Sequence, residues 1–440
     1  MRSLLARRAA VFGSAALLLL GPATTVAQAE PAALPAESES GISDQHAQLP
    51  AEMIDALQRD LQLTPAQYLE RSALAQRLGE FAEVARTQFP EAFAGAWIDP
   101  SGAPVVGLAE NGRDSARAAV EQAGFTSADV ERSQGQLEST RAGLAAWIGT
   151  LPPDIAQFVG GATIDVANND VVLRADNRAG DLLELVPPFL REAARVVLAP
   201  AFAPLEPAIS SSVPAQYAGD AFLGGDPYVA TGGGVGLQCS LGFNALDGNG
   251  APVNISAGHC DPDRTTAGTE RASRVEGMSG PVIGTFERTS LDGYDYSILR
   301  PTAASAPRFA NNGVRVPYAA PLQVTGTASP VVGAPVCKTG STSGFNCGVV
   351  TAVNQSVHVG ERVLYDGFAT NLCALEGDSG GPIVTGTLAL GISSASNVGD
   401  YPLCALANLE TSLMGDSPEL IATPINSILN QNPGLRLRTS

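Results

Sequence analysis

The second half of this 440-residue chain is predicted to form an all-β domain, and the first half an α+β domain. From residue 220 to about residue 422, glycines and short β-branched runs dominate, a texture typical of short strands separated by frequent turns. The first half instead alternates helical periodicity with hairpin signals. A chain of this length exceeds one ordinary hydrophobic core, so two or three folded units are expected.

Residues 1–29 have the layout of a secretory signal peptide. A basic start precedes the apolar stretch 9–20, and Ala27-Gln28-Ala29 supplies the small residues of a cleavage site. The pair Arg7-Arg8 keeps twin-arginine export open beside the ordinary secretory route. No later segment has the unbroken apolar length of a membrane helix, so we expect a secreted, extracellular protein with no membrane partner once the signal is removed.

Residues 30–219 are predicted to form the α+β domain, which repeats a helices-then-hairpin pattern. Its start, 30–48, is rich in Ala, Pro, Glu and Ser and is expected to be disordered. Thr64 is a predicted helix N-cap, with Pro65 in the first turn. The pattern predicts a helical region, a hairpin, a helix, a second hairpin and a last helix, at 50–89, 92–108, 133–151, 162–174 and 180–198. The stretch 199–219, rich in Ala, Pro and Ser, is a candidate linker and processing site.

The net charge of −18 argues against nucleic acid as a partner. Residues 30–219 carry 26 acidic and 12 basic residues, a charge of −14, and no basic patch interrupts the chain. Such an acidic surface favours solubility. No Cys-x-x-Cys pair is present and only two histidines lie near the cysteines, so no metal site is expected. No cofactor is expected either.

The segment 376–382, with the sequence EGDSGGP, places a serine between glycines in a tight turn. Glycines let a substrate carbonyl approach closely and let backbone N–H groups point at one spot. Acyl transfer needs an exposed hydroxyl and two donors for the oxyanion. Ser379 is therefore the candidate nucleophile, and the N–H groups of Gly377 and Ser379 are the candidate oxyanion hole.

Chain order separates three classes of serine hydrolase. The chain has three histidines, His46, His259 and His358. An α/β-hydrolase would place its histidine after Ser379, and none follows. The subtilisin order would require an aspartate in a strand before His259, and none stands there. A histidine first, an aspartate between and the serine last is the chymotrypsin order.

Four spaced segments resemble the streptogrisin and α-lytic-type bacterial serine proteases. They have the sequences CSLGF, DYSILR, CKTGSTSGFNCG and TNLC, at 239–243, 295–300, 337–348 and 370–373. The resemblance covers about residues 224–432 and extends more loosely into the N-terminal half. It implies a chymotrypsin-like fold of two six-stranded antiparallel barrels, with the active site in the cleft between them. Within a protease domain 220–440, the barrels are expected at about 224–315 and 316–422, followed by a helix at 423–432.

Six cysteines, all between residues 239 and 404, indicate disulfides in an exported domain. The sequence by itself leaves their connectivity open. The resemblance implies sequential pairing: Cys239 with Cys260, Cys337 with Cys347, and Cys373 with Cys404.

His259 is the candidate general base, because the other two histidines lie in an acidic tail and at an expected exposed strand end. Asp295 is the candidate acceptor of the His259 ring N–H. Its rival Asp292 precedes a glycine and is typical of a turn, whereas Asp295 opens an apolar strand. The family motif also falls on Asp295. By the resemblance, Asp378 has a structural role and pairs with a new N-terminus or an internal cation.

By the resemblance, six residues in two segments wall the substrate pocket: Asn371, Leu372, Ala374, Ser394, Ala395 and Ser396. The first segment offers no acid for a Lys or Arg substrate, and the strand 392–396 offers no cation or histidine for a Glu substrate. Both absences favour an apolar residue before the scissile bond. The family usually has glycines where Ala395 and Ser396 stand, so small to medium apolar residues are expected. The segment 397–420, which follows this wall, is longer than usual in the family.

We therefore expect a secreted serine endopeptidase, made as a zymogen, that acts as a monomer on proteins or peptides. The resemblance implies that residues 30–219 are a prosegment that assists folding of the slow double barrel and inhibits the enzyme until processing. The processing bond is expected between Ser212 and Gly224. Two alternatives stay open for the second half: a catalytically idle protease fold used for binding, and an esterase on the same fold. For the first half, the alternative is an independent α/β binding module.

Overall fold

The computed structural model describes eight stretches of the chain: 49–156, 158–176, 186–198, 203–204, 220–277, 280–359, 362–413 and 416–440. The expected signal peptide, the acidic tail with His46, most of the linker 199–219 and the expected processing region up to Asp220 lie outside these residues. No helix within the described stretches combines the length and the apolar character needed to cross a membrane.

The described part begins with two helices, and the start of the second follows from its capping residues. α1 spans Ala51–Ala56 and continues as the π-helical turn Leu57–Leu61. α2 spans Pro65–Gln88, with Thr64 as its N-cap. The Thr64 hydroxyl accepts the Gln67 N–H, and Gln67 Oε1 accepts the Thr64 N–H, so two otherwise unpaired donors are satisfied. The predicted helix start is confirmed.

The first half contains one order of elements twice: helix, hairpin, helix, strand. In the first copy, α2 is followed by β1 Phe93–Ile98, β2 Pro104–Leu108, α3 Arg113–Gln122 and β3 Thr126–Asp129. The second copy consists of α4 Gln134–Ile148, the short α5 Pro153–Ala156, β4 Val159–Asp165, β5 Asp170–Ala175, α6 Pro188–Ala193 and β6 Arg195–Leu198. In both copies the last strand pairs parallel with the second strand of the hairpin. The repeated pattern seen in the sequence therefore corresponds to a structural repeat.

The helix predicted over 180–198 is wrong at its C-terminal end. Within the described residues the helix covers only Pro188–Ala193, and Arg195–Leu198 is a strand. Val196 and Val197 are β-branched, which lowers their helix propensity and suits a pleated strand. They pair with β5, so a sheet contact made by distant residues overrides the local pattern.

The first barrel is a closed sheet. Its strands are β8 Pro227–Gly232, β9 Val235–Ser240, β10 Phe243–Leu246, β11 Pro252–Ser256, β12 Arg274–Gly277, β13 Val282–Ser290 and β14 Tyr296–Pro301. They follow the order β9-β8-β12-β13-β14-β11-β10. Because β9 and β10 are two halves of one run that bends at Leu241 and Gly242, the two ends of this order meet and six strands close the barrel. A Cβ at Gly242 would lie 2.0 Å from the Ile255 carbonyl oxygen, so the bend requires glycine.

The second barrel closes in the same way. Its strands are β18 Pro335–Gly340, β19 Gly344–Val359, β20 Arg362–Thr370, β21 Pro382–Thr385, β22 Leu388–Ser396 and β23 Leu420–Pro424. They follow the order β18-β21-β22-β23-β20-β19, and β19 pairs again with β18. The predicted class of two six-stranded antiparallel barrels, preceded by an α+β region, is confirmed.

Shorter elements connect and fasten the barrels. The short strands β15 Gly313–Val314, β16 Leu322–Gln323 and β17 Gly326–Thr327 lie in the connection between them. The long segment 397–420 contains α7, Cys404–Leu413. α8, Ile425–Gln431, lies within the range 423–432 expected for a helix, and β24, Arg436–Leu437, pairs with β10. The C-terminus therefore returns from the second barrel to the first.

Three disulfides join Cys239 to Cys260, Cys337 to Cys347, and Cys373 to Cys404, the pairs that the resemblance implies. The first fastens β9 to the turn after β11, and the second links the paired strands β18 and β19. The third ties the segment before Ser379 to α7.

The sheet of the second barrel continues into the first half of the chain. β4 pairs antiparallel with β19, with Ala162 opposite Ser356 and Gly161 opposite Val357. Gly161 has a φ of +122°, and a Cβ there would lie 2.5 Å from the Ser356 carbonyl oxygen, so this close pairing requires glycine. A short linker strand, β7 Ala203–Pro204, pairs with β22. The first half thus contacts the second barrel strand to strand.

Candidate active site

Paired strands bring a histidine and an aspartate to the same end of the first barrel. β11 pairs with β14, with Ser256 opposite Ser297. His259 lies in the 3₁₀ turn Gly258–Cys260 that follows β11, and Asp295 immediately precedes β14. Because β11 ends where its antiparallel neighbour begins, the two side chains meet at a shared edge.

The second barrel supplies a serine opposite this pair. Ser379 lies in the connection between β20 and β21, and its Oγ is 2.7 Å from His259 Nε2. His259 Nδ1 is 2.6 Å from Asp295 Oδ2. The His259 side chain is 8% exposed and Asp295 is fully buried, so the Asp295–His259 pair is shielded from water. The structure brings all three predicted residues into one hydrogen-bonded chain, the geometry of a serine–histidine–aspartate triad.

Four hydrogen bonds hold the Asp295 carboxylate. Oδ1 accepts the N–H groups of Gly258 and His259 at 2.8 and 2.9 Å. Oδ2 accepts from His259 Nδ1 and, at 2.5 Å, from the Ser394 hydroxyl. Burial alone would raise the pKa of Asp295, but His259, Arg362 and Ser394 outweigh burial and lower the pKa to about 2. The ionised carboxylate holds the imidazole proton on Nδ1, which leaves Nε2 as the proton acceptor.

The two rivals of these residues lie elsewhere. Asp292 is exposed in the turn before Asp295. His358 lies near the end of β19, opposite Val363. It was expected at an exposed strand end, but it is half-buried, and this burial lowers its pKa. The geometry therefore favours Asp295 and His259.

A fully buried ion pair anchors the loop that carries Ser379. Lys338 Nζ lies 2.9 Å from Asp378 Oδ2, and both side chains are inaccessible to solvent. Asp378 also accepts three backbone N–H groups at 2.9 to 3.0 Å, from Thr342, Ser343 and Leu375. Burial alone would raise the pKa of Asp378, but Lys338 and the hydrogen bonds hold it below the ordinary value. Of the two partners expected for Asp378, the structure has the internal cation.

Further contacts fix the backbone on both sides of Ser379. Gly377 has a φ of +94°, and a Cβ there would lie 2.4 Å from Thr342 Oγ1. The Gly377 carbonyl accepts the hydroxyls of Ser240 and Ser341, both at 2.8 Å. The Ser379 carbonyl accepts the Ser240 N–H at 2.9 Å. Residues of both barrels thus preorganise the peptide groups whose N–H groups are expected to form the oxyanion hole.

Four of the six residues expected to wall the pocket direct their side chains into the protein interior. The Ser394 hydroxyl donates to Asp295, so this side chain is engaged with the triad. Leu372 and Ala374 pack in the core of the second barrel. Ala395 packs in an apolar cluster on β19, β20 and β23. Residue type alone indicates none of these contacts.

The other two wall residues use their polar atoms locally. Asn371 is exposed, and its Oδ1 accepts the Val349 N–H at 2.7 Å. Ser396 Oγ accepts the Val398 N–H at 3.2 Å. All six expected wall residues are uncharged.

A strand from the linker covers the second wall segment. β7 runs antiparallel to β22, with Pro204 opposite Ala395 and Ala203 opposite Ser396. The next residue of β22 toward the triad is Ser394. From residue 203 to residue 204 the linker therefore runs toward the triad. An extended peptide paired with β22 in this direction would bring its following residues to Ser379.

Comparison with known proteins gives a family-model match and several similar sequences and structures. The trypsin family model matches residues 253–406. Streptogrisin-C of Streptomyces griseus is 30% identical over 405 residues, which cover 90% of this chain and 79% of that protein. The chain belongs to the streptogrisin family of serine endopeptidases. Serine protease 2 of Streptomyces fradiae is 38% identical to this streptogrisin-family chain over 177 residues, covering 40% of the chain and 94% of that protein. Among solved structures, Thermobifida fusca protease A is 31% identical, with a TM-score of 0.40, and covers 50% of this chain and 100% of its own.

Sequence reasoning does not find Lys338 and Arg362 at this streptogrisin-family site, and it places Ser394 in the pocket wall without finding its contact with Asp295. Lys338 does carry a signal, because it is the only lysine in the chain and follows a cysteine in an apolar stretch. Ser394 and Arg362 carry none, because both come from strands of the second barrel that lie far along the chain from Asp295.

Proposed function

We propose that the chain is the secreted zymogen of a serine endopeptidase whose triad is His259, Asp295 and Ser379. The observation that carries this proposal is the continuous hydrogen-bonded chain from Asp295 through His259 to Ser379, at 2.6 and 2.7 Å. Secretion is supported by the composition of residues 1–29 and by three disulfides, which form in oxidising compartments.

In the proposed reaction, Ser379 Oγ bonds to the scissile carbonyl carbon while its proton passes to His259 Nε2. The resulting oxyanion accepts the N–H groups of Gly377 and Ser379, and each donor lowers the barrier by about 3 kcal/mol. The C–N bond then breaks and His259 gives its proton to the leaving amine. Water hydrolyses the acyl-enzyme by the same route. Asp295 orients the ring and stabilises the imidazolium, and Ser394 holds Asp295 in place.

Latency of the zymogen is best explained if the prosegment covers β22, the strand on which a substrate peptide would pair. Asp378 is already paired with Lys338 in the uncleaved chain, so the loop around Ser379 takes its shape before a new N-terminus exists. Inhibition then falls to the first half of the chain. The pairing of β7 with β22, directed toward the triad, supports this, because a peptide held there excludes substrate from the same strand.

The contacts of the first half also support a role in folding. Four of its side chains bind the second barrel, in the pairs Arg59–Phe345, Asp60–Cys347, Arg141–Ser356 and Arg174–Glu419. Three of these contacts and the β4 pairing converge on β19, the longest strand of the barrel. Within the barrel β19 forms hairpins with its neighbours β18 and β20, whose other edges must pair with the distant strands β21 and β23. A preformed partner strand that orders β19 and its two hairpins lowers the entropy cost of forming those distant pairings.

We further propose a preference for small to medium apolar residues before the scissile bond. The uncharged wall segments 371–374 and 394–396 support it, since a Lys, Arg or Glu substrate would be buried there without a partner charge. Ser396 carries a Cβ atom where glycine would leave more room for a large aromatic ring, whereas the Ala395 methyl group packs into the barrel.

The test of the proposed activity is fluorophosphonate labelling of the secreted protein beside its Ser379→Ala variant, with intact mass measured on both. We expect the wild type to be processed and labelled, and the variant to stay at full length and unlabelled. Wild-type enzyme added in trans should process the variant, which controls for its folding. If the disulfide-bonded wild type takes no label, the triad is inactive, and the alternative of a catalytically idle protease fold used for binding is supported. A labelled wild type that cleaves esters but no peptide would be an esterase.

Asp60→Ala is expected to weaken the complex between the cleaved prosegment and the enzyme about ten-fold. Asp60 Oδ2 accepts the Cys347 N–H at 2.9 Å, and this acceptor is charged. The dissociation constant can be read from the activity recovered when the processed complex is diluted. Asp55→Ala is the matched control, because Asp55 is exposed one helical turn earlier. Equal recovery curves for the two variants would contradict the role given to this contact.

A further inference from the structure

We propose that Arg362 is a positioning residue that acts on the triad by its charge and extends the activity of the enzyme toward acidic pH. The inference rests on the proposed triad. Arg362 Nη1 lies 3.9 Å from Asp295 Oδ2, on the carboxylate oxygen that also accepts from His259.

Arg362 does not act as a hydrogen-bond donor to Asp295. The carboxylate already accepts four hydrogen bonds, from two backbone N–H groups, His259 and Ser394, which fill its usual acceptor positions. Arg362 Nη1 is buried and has no hydrogen-bond partner within the described part of the chain. The contribution of Arg362 to the triad is therefore its positive charge.

The position of this charge is built into the fold. Arg362 is the first residue of β20, and its side chain is 19% exposed. Two residues on, Leu364 forms a β-bridge with Gly293, and the Tyr365 N–H donates to the Gly293 carbonyl at 2.7 Å. These contacts fasten the start of β20 to the loop that carries Asp295. A poorly solvated guanidinium costs stability unless a negative charge lies beside it, and Asp295 is that charge.

A fixed cation beyond Asp295 changes the electrostatic environment of the triad. It offsets part of the carboxylate charge that the imidazole experiences, so the imidazolium form becomes less favourable. Activity that depends on the neutral imidazole is therefore expected to extend to lower pH when this cation is present. The same charge opposes the imidazolium that forms in the transition state, so we expect it to reduce the plateau rate slightly.

The other ionisable groups around the pair are already engaged or point away. Asp261 accepts the hydroxyls of Ser273 and Thr289, and the Tyr228 hydroxyl bonds to Ser256. On the serine side, Asp378 is neutralised by Lys338. The remaining carboxylates of the adjoining loops are Asp292, which is exposed, and Asp366, which accepts from Tyr294. Glu361 precedes Arg362 in the sequence and lies outside the described residues.

The test is the pH dependence of kcat/KM of the processed enzyme on a neutral peptide substrate, for wild type, Arg362→Gln and Arg362→Lys. For Arg362→Gln, we expect the midpoint of the acidic limb to rise by about 0.5 to 1 pH unit, with an equal or slightly higher plateau. Arg362→Lys keeps the charge and should follow the wild type. Arg300→Gln is the control for loss of one charge, because Arg300 pairs with Asp247 and Glu287 away from the triad.

Two results would overturn the role of Arg362. The first is an Arg362→Gln enzyme whose kcat/KM falls at the same acidic pH as that of the wild type and reaches a normal plateau. The second is an Arg362→Lys enzyme whose acidic limb is displaced as far as that of Arg362→Gln. If Arg362→Gln does not process itself, wild-type enzyme added in trans supplies the cleaved protein, and Arg362→Met offers a second neutral side chain. A wild type that takes no fluorophosphonate refutes the triad itself, whereas an active wild type with an unmoved Arg362→Gln limb refutes only this inference.

Discussion

His259→Ala is expected to lower kcat about a million-fold in the processed enzyme. The imidazole lies 2.7 Å from Ser379 Oγ, and without it the serine proton loses its acceptor. The oxyanion N–H groups remain, so the residual rate should still exceed that of the reaction in water. A precursor with this change should accumulate at full length, because its own cleavage requires the same base. Intact mass of the secreted protein, then kcat on a peptide substrate after processing in trans, measures both effects.

His358→Ala is the matched control for this prediction. His358 is half-buried in β19 and belongs to the same barrel as Ser379, but it pairs with Val363 across the hairpin. We expect its activity to stay within a few-fold of the wild type. Self-processing by His259→Ala, or a comparable loss of activity in His358→Ala, would contradict the assignment of the base.

Lys338→Met is expected to destabilise the folded chain by about 3 to 5 kcal/mol, because it leaves the Asp378 charge buried without its cation. The loss should fall on catalysis as well as on stability. Asp378 also binds three backbone N–H groups, and rearranging this carboxylate would displace the peptide groups of Gly377 and Ser379. Thermal unfolding of Lys338→Met in a Ser379→Ala background, where self-digestion cannot interfere, measures the loss of stability. The kcat of Lys338→Met with Ser379 intact measures the loss of catalysis.

Two comparisons sharpen the Lys338 prediction. Arg288→Met removes a cation whose partner is the neutral Asn432 side chain, and it should cost far less stability. Because Lys338 is the only lysine and is fully buried, acetic anhydride should modify the N-terminal amine of the folded protein and reach Lys338 only after unfolding. A Lys338→Met protein that unfolds at the wild-type temperature and retains normal kcat would contradict the anchoring role of the ion pair.

The amino-acid sequence was sufficient for the features that depend on neighbouring residues. The glycines around Ser379 form a turn whose requirements are local, and with only three histidines the chain order left one candidate base. The start of α2 at Thr64 follows from a capping box four residues long. Asp295 was separable from Asp292 because one opens an apolar strand and the other a turn. Each of these choices is made by backbone geometry within a few residues.

Only the tertiary structure decided which residues surround these groups. Lys338 neutralises Asp378, Ser394 donates a hydrogen bond to Asp295, and Arg362 places a charge beside the same carboxylate. The strand at 195–198, predicted as helix, likewise forms because β5 offers it a partner. In each case the deciding interaction joins residues far apart in the chain, and its energy arises only when burial removes water and leaves a polar group or charge in need of a partner. A local pattern of residues therefore cannot predict that partner.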